Sequence, residues 1–339
     1  MINLMSDTVT KPTADMLEQM FTAEVGDDVF GEDPSINELQ DRVAAMFGKK
    51  AALFCPSGTM TNQIAIKIHT KALDEVICDH YSHIYQYETG GYAFNSGVAI
   101  NLIEGQYGKV TADQVDKAVK LDFDWLPKTR LVVLENSCNK GGGSYYTIDE
   151  MEDIRTVCDK HHLKLHLDGA RLFNVLVETG DAPKAIGAIF DTISICMSKG
   201  LGAPVGSLLI GSAEDIKQAR RFRKVMGGGM RQAGYLAKAC SYALDHHIDR
   251  LKSDNERAKS IGSLLSQLPY VTDVRPVKTN IVIFETESEG ITAYLIEYLK
   301  KKDILCVQFG PKAIRFVFHL DVADHMIPQI EAALSSFIP

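Results

Sequence analysis

Between about residue 50 and residue 212 the chain alternates short apolar runs with amphipathic stretches. AALFCPS (51–57), EVICDH (75–80), VAINLIEG (98–105), RLVVLENS (130–137), LKLHLDGA (163–170), DTISICMS (191–198) and GSLLIG (206–211) predict strands. Several are apolar on both faces, as a sheet covered by helices requires. Between them, TIDEMEDIRTVCDKHH (147–162) has helical spacing, and Thr147 with Glu150 makes a capping-box start. Strands alternating with helices predict a mostly parallel α/β sheet. From about 213 to 266 the pattern is helical throughout. Beyond it, VTDVRPVKTNIVIFET (271–286), a helix near 291–302, ILCVQFGPKAIRFVFH (304–319) and a final helix from Asp321 predict a smaller α+β unit. The expected division is a large domain over 1–250 and a small one over 251–339. The first dozen residues match no element. They are expected to be draped on the surface or tied into a site.

Composition narrows the function classes. Hydrophobic residues make up 45% and charged residues 24% of the 339, the balance of an ordinary globular protein. A net charge of −8 argues against nucleic acid or an anionic membrane as the main partner, so any bound anion needs a local site. Seven cysteines, at 55, 78, 138, 158, 196, 240 and 306, form no CxxC pair, and their odd number fits no disulfide framework. They are expected to be reduced and mostly buried. The start, MINLMSDTVTKP, lacks a signal-peptide pattern, and no apolar stretch reaches spanning length. A cytoplasmic location is the expectation.

Four places carry candidate chemistry. In SICMSKGLGAPVG (194–206), Lys199 follows an apolar strand and precedes a glycine-rich turn. Carboxyl ends of such strands line ligand crevices. A lysine in a partly apolar crevice supplies the neutral amine that a Schiff base needs; taken alone, it is a solvated lysine. In LHLDGAR (165–171), Asp168 ends a strand, and Arg171 can offer a planar fork to a carboxylate. A helix cap with its ion-pair partner explains that pair equally well. In CPSGTMTN (55–62), Gly58 and Thr59 stand where a helical pattern begins, which suits phosphate binding or plain N-capping. In DHYSHIYQYETGG (79–91), His83 could stack on a flat cofactor or pack as a core residue, and Glu88 could be a site carboxylate or a solvated one. All four fall at predicted strand ends, in the order a pyridoxal phosphate (PLP) site would use. No GxGxxG, GxxxxGK[ST] or HExxH motif and no cysteine–histidine cluster occurs, which disfavours a dinucleotide, P-loop or metal site.

SDTVTKPT (6–13), GDDVFGEDP (26–34), PSGTMTN (56–62), HLDGAR (166–171) and SKGLGAPVGS (198–207) together resemble the L-threonine aldolase family, within the fold-type I PLP enzymes. The match runs over nearly the whole chain. The resemblance implies an aspartate-aminotransferase-like large domain, a small C-terminal domain, and a dimer or tetramer whose subunits share active sites. Lys199 would carry PLP as a Schiff base, Asp168 would face the pyridine nitrogen and His83 would stack on the ring. Gly58 and Thr59 would hold the phosphate. Arg171 and Arg315, with Ser6 beside them, would grip the substrate carboxylate. Arg231, and Lys224 with it, would reach the neighbouring subunit's phosphate. Without the resemblance, Arg231 and Arg315 read as surface cations.

One position departs from the family pattern. Ten residues before Glu135, where relatives often carry a histidine against the substrate's β-hydroxyl, stands Trp125. An indole cannot take up that proton. The implied activity is cleavage of L-threonine, L-allo-threonine or a related β-hydroxy-α-amino acid to glycine and an aldehyde, with His83, directly or through water, as the base. The alternatives are β-elimination, racemisation or transamination on the same scaffold, or a PLP-binding protein without catalysis.

Overall fold

The computed structural model describes residues 1–339 and is built around a seven-stranded sheet. Its spatial order is Ala51–Cys55, Ser207–Gly211, Thr192–Cys196, Lys164–Gly169, Lys128–Glu135, Asp74–Asp79 and Ala99–Ile103. Only Ser207–Gly211 runs against its neighbours. That one reversal lies outside what an apolar run can signal, because hydrophobicity carries no direction. The strands Ala51–Cys55 and Thr192–Cys196 flank the reversed strand and therefore point the same way. Every catalytic candidate that follows a parallel strand consequently emerges at one edge of the sheet, as open α/β sheets arrange their ligand sites.

The helices follow local rules. Ile148–Lys160 begins at Thr147, whose side chain accepts from the Glu150 amide while Glu150 reaches back to Thr147, so both halves of the capping box form. The helical stretch after 212 is three helices, Ala213–Val225, Gly234–His246 and Leu251–Leu265. The last helix is Ile327–Ser335, six residues later than Asp321, with a 3₁₀ turn at Asp324–Met326 before it. Pro328 accounts for the later start. Its fixed φ suits the first helical turn and cannot donate within a longer helix.

One continuous core of 41 buried residues runs from Met16 to Leu251. A second, of 19, joins Ala258 through Phe337 around the antiparallel sheet Val307–Gln308, Ala313–Val317, Ile281–Thr286 and Val271–Val274. Ile2 and Leu4 belong to this second core, and Ile2–Asn3 pairs in parallel with Ile304–Leu305. The N-terminal segment is thus anchored at its first residues. It then turns inward through the short 3₁₀ turn Asp7–Val9. All seven cysteines are free thiols, and six are buried. No helix is long and apolar enough to cross a membrane.

Candidate active site

A cleft of about 430 Å³ opens at the sheet edge, lined by residues from three parts of the chain. Ser6 and Thr8 come from the N-terminal segment, and His83, Tyr87, Asn139, Arg171 and Lys199 from strand ends. Val307 to Phe309 and Arg315 come from the small sheet. Five expected residues therefore meet here: Ser6, His83, Arg171, Lys199 and Arg315. Gly58, Thr59, Asp168, Lys224 and Arg231 are not among the residues that line it.

Lys199 follows the strand Thr192–Cys196 and is half-buried. The turn after it is held by Gly202, at φ +79°, whose amide donates to the Lys199 carbonyl at 2.8 Å. Asp168 lies one strand over, near the end of Lys164–Gly169, and is buried. Its Oδ2 accepts from Asn62 at 2.8 Å. The same Asn62 amide donates to Glu88 Oε1 at 2.9 Å, and Gln63 donates to Glu88 Oε2 at 2.5 Å. His83 closes this group, with Nδ1 2.9 Å from Glu88 Oε1.

One histidine and two carboxylates within 4.8 Å have the composition of a metal-ligand set. Here, however, both oxygens of Glu88 already accept hydrogen bonds. The trio acts as a hydrogen-bonded wall. With Glu88 fixed by Asn62 and Gln63, the His83 ring donates from Nδ1, which leaves the Nε2 lone pair free. Burial opposes charge on this ring. The Glu88 hydrogen bond, with the charges of Asp168, Glu135 and Glu88, outweighs it and lifts the His83 pKa above the ordinary 6.5.

The two arginines are held differently. Arg171 donates from Nε and Nη2 to the two oxygens of Asp7, both at 2.6 Å, in a bidentate pair that is entirely buried. Burial alone would raise the Asp7 pKa, but the Arg171 charge and hydrogen bonds hold it down to about 2. Asn280 of the small sheet's side also reaches Asp7, at 3.3 Å. Arg171 therefore lines the cleft with its Nε–Nη2 edge committed to Asp7 and its Nη1 outside that pair. Arg315 donates to Asn139 Oδ1 at 2.8 Å and to the Met5 carbonyl at 2.9 Å, and its cation lies 4.5 Å from the Phe309 ring centre. Its Nε is buried without a partner. Burial and the neighbouring Arg171 charge lower the Arg315 pKa to about 10, so it is still a cation at neutral pH.

The helix Gly58–His69 starts with Ser57 capping the Met60 amide, which leaves other N–H groups of its first turn free to bind an anion. A β-carbon on Gly58 would come within 2.6 Å of Cys196 Sγ, so only glycine lets the helix start this close to the strand before Lys199. Thr59 is exposed beside Ser57 and Met60. Lys224 and Arg231 are exposed as well, outside the cleft of their own chain, and Arg231 pairs with Asp27 at 2.8 Å. Trp125 also lies outside, 73% exposed and stacked on Phe123 at 4.6 Å. It offers nothing to a substrate bound in its own chain's cleft.

Several residues of this site escape motif reading. Asp7, Asn62 and Asn139 are anchors whose partners lie far away in sequence. Glu135 is the hub. Its carboxylate accepts from the His83 and Asn139 amides, both at 2.8 Å, so it sets the position of His83 on one side and the Arg315 contact on the other. Burial, then the Asp168 charge, pushes the Glu135 pKa up to about 7. Tyr87 was visible as part of an aromatic run, but nothing distinguished it there. A lysine and a buried carboxylate at the ends of adjacent strands, a ring with one committed nitrogen, a helix start that suits an anion and two arginines in the cleft together fit PLP and an amino acid.

The Beta-eliminating lyase family model matches residues 3–289. The low specificity L-threonine aldolase of Escherichia coli (strain K12) is 39% identical over 339 residues, spanning 100% of this chain and 99% of that protein. The chain belongs to the L-threonine aldolases, within the beta-eliminating lyase family. The L-threonine aldolase of Saccharomyces cerevisiae is 40% identical over 342 residues, covering 98% of this chain and 85% of its own. A solved Leishmania major threonine aldolase shares the fold of this L-threonine aldolase at a TM-score of 0.87 and 22% identity, with 98% of each chain covered. The serine palmitoyltransferase of Sphingomonas wittichii shares the fold at 0.79 and 15% identity, covering 99% of this chain and 86% of that one.

Proposed function

We propose that this chain is a PLP-dependent carbon–carbon lyase that cleaves L-threonine, L-allo-threonine and related β-hydroxy-α-amino acids to glycine and an aldehyde. The reading rests on the cleft, where Lys199, His83, Arg171 and Arg315 converge. PLP bound at Lys199 supplies the electron sink that accepts the pair of a broken Cα–Cβ bond. Asp168 would hold the ring nitrogen's proton. Gly58 and Thr59 bind the phosphate. Arg315, with Ser6 and the Nη1 side of Arg171, grips the substrate carboxylate and so fixes which Cα bond is aligned for cleavage. His83 takes the β-hydroxyl proton at Nε2, since Glu88 occupies Nδ1.

Lys224 and Arg231 reach the phosphate of a second copy. The exposure of Phe94 (91%), Val225 (79%) and Phe30 (73%) near this end supports an assembly, a dimer or tetramer, in which these side chains are covered. A cytoplasmic location agrees with seven free thiols.

The direct test is product analysis with L-threonine, L-allo-threonine, a β-aryl serine and the D-isomers. The expected products from the L-substrates are glycine and the matching aldehyde. Pyruvate or another keto acid as the main product would place the chain among the eliminating or transaminating enzymes instead. A second prediction concerns the base. His83 must be neutral to accept a proton, so kcat/KM is expected to rise with pH through an apparent pKa above 6.5. Glu88→Gln removes a carboxylate that raises it, so the acidic limb of the profile should move to lower pH. An unmoved limb would assign the base to another group.

A further inference from the structure

Behind Asp168 the polar contacts do not stop. The helix Gly58–His69 packs across the strand Lys164–Gly169. Asn62 and His69, seven apart, share a helix face, while His166 and Asp168, two apart, share a strand face. Thr192, on the next strand, is the register partner of His166. These faces bring five side chains into one file. His69 Nε2 is 2.9 Å from Thr192 Oγ1, and Thr192 Oγ1 is 2.9 Å from His166 Nδ1. His166 Nε2 is 3.2 Å from Asn62 Oδ1, and Asn62 Nδ2 reaches Asp168. Thr192, His166, Asn62 and Asp168 are all buried, and His69 is half-buried.

The direction of each hydrogen bond is set by its neighbours. Asn62 stands between two carboxylate oxygens that only accept, so its NH2 faces them and its Oδ1 faces His166. An amide oxygen cannot donate, so His166 must carry its proton on Nε2. Burial drives the His166 pKa down to about 3 against the pull of Asp168, so the ring is neutral and Nδ1 holds a lone pair. Nδ1 then accepts from the Thr192 hydroxyl, although it also lies 3.1 Å from the Thr192 carbonyl, which would favour a proton there. Thr192, having donated, accepts from His69 Nε2. Every donor therefore points toward Asp168.

We infer that His69, Thr192, His166 and Asn62 form a one-directional hydrogen-bond relay that presents Asp168 as an acceptor to the ring nitrogen of bound PLP. These are positioning residues, and the inference rests on the PLP reading above. Without the relay, the Asn62 amide is less polarised and less firmly oriented toward Asp168, the carboxylate is a less well-placed acceptor, and the ring nitrogen is less cationic. A less cationic ring makes the conjugated nitrogen at Lys199 more basic. The charged groups facing the file are Glu88, Glu135 and His83 at the cleft end, and Asp191, Asp215 and Lys164 near His69. A change at Thr192 alters none of them.

Thr192→Val and Thr192→Ser separate the relay from packing. Valine keeps the shape and loses the hydroxyl, while serine keeps the hydroxyl and loses a methyl. In the full-length protein, Thr192→Val is expected to raise the Kd for PLP about tenfold. It should also shift the titration of the bound cofactor's visible band to higher pH, with Thr192→Ser close to wild type. The reverse order, valine silent and serine impaired, would overturn the relay in favour of packing. Nitrogen-15 spectra of full-length protein without PLP should show His166 neutral with its proton on Nε2, and a proton on Nδ1 in the wild type would overturn it as well. A wild-type chain that gives no visible band with PLP refutes the cofactor reading itself. A normal band unmoved in Thr192→Val refutes the relay alone.

Discussion

Lys199→Ala is expected to abolish steady turnover of L-threonine, with a loss on the order of 10³-fold or more. Lys199 is the one lysine that lines the cleft. No other amine there can form the Schiff base or displace the product from it. The change should leave the fold intact, because the side chain is half-buried and belongs to neither core. The residues proposed to hold the phosphate, Gly58 and Thr59, and the carboxylate of Asp168 also remain, so the variant should still take up PLP, only without the covalent link. Loss of turnover with retained binding is the expected pair of results. A variant that cleaves threonine at the normal rate would remove Lys199 from the chemistry.

The second large effect falls on a residue with no catalytic duty. Asp7→Ala should destabilise the protein by about 3–5 kcal/mol, because it leaves the buried Arg171 guanidinium without its partner. Asp7 also ties the N-terminal segment to Asn280, so the loss should loosen Ser6 and Thr8 at the cleft wall. A lower urea midpoint together with a raised KM checks both consequences. Asp7→Asn isolates the charge. The native Asp7 pKa of about 2 lies below its ordinary 3.8, so the pair stabilises the fold above pH 3.8. That contribution, about 2 kcal/mol, is lost as pH falls toward 2. The asparagine variant should lose this part of the acid dependence, and an unchanged acid transition would show that the pair does not contribute it.

What could be read from the chain divides by sequence distance. Most strands of the large sheet were legible because they are buried apolar runs, the edge strand Ala99–Ile103 being the exception, and Lys199, Asp168, Arg171 and His83 because each lies at or after the end of one. The capping box at Thr147 and Glu150 was legible because it is local. The antiparallel course of Ser207–Gly211 was not, since direction is set by connections. Asp7 meets Arg171 across 164 positions, and Asn62 meets Asp168 across 106. Nothing at either end of such a pair marks the other. His166 was quoted within a motif, yet in a strand its burial looked like any core position until Asn62 and Thr192 were placed against it. Arg231 and Lys224 were named from the family pattern, and within one chain they stay outside the cleft. Their assignment therefore depends on a second copy.

Borohydride reduction of the PLP-loaded protein followed by peptide mapping shows which lysine carries the cofactor. A phosphopyridoxyl group is expected on the peptide containing SKGLGAP, on Lys199. The same group on another lysine, or a protein that PLP leaves unlabelled, would contradict that assignment.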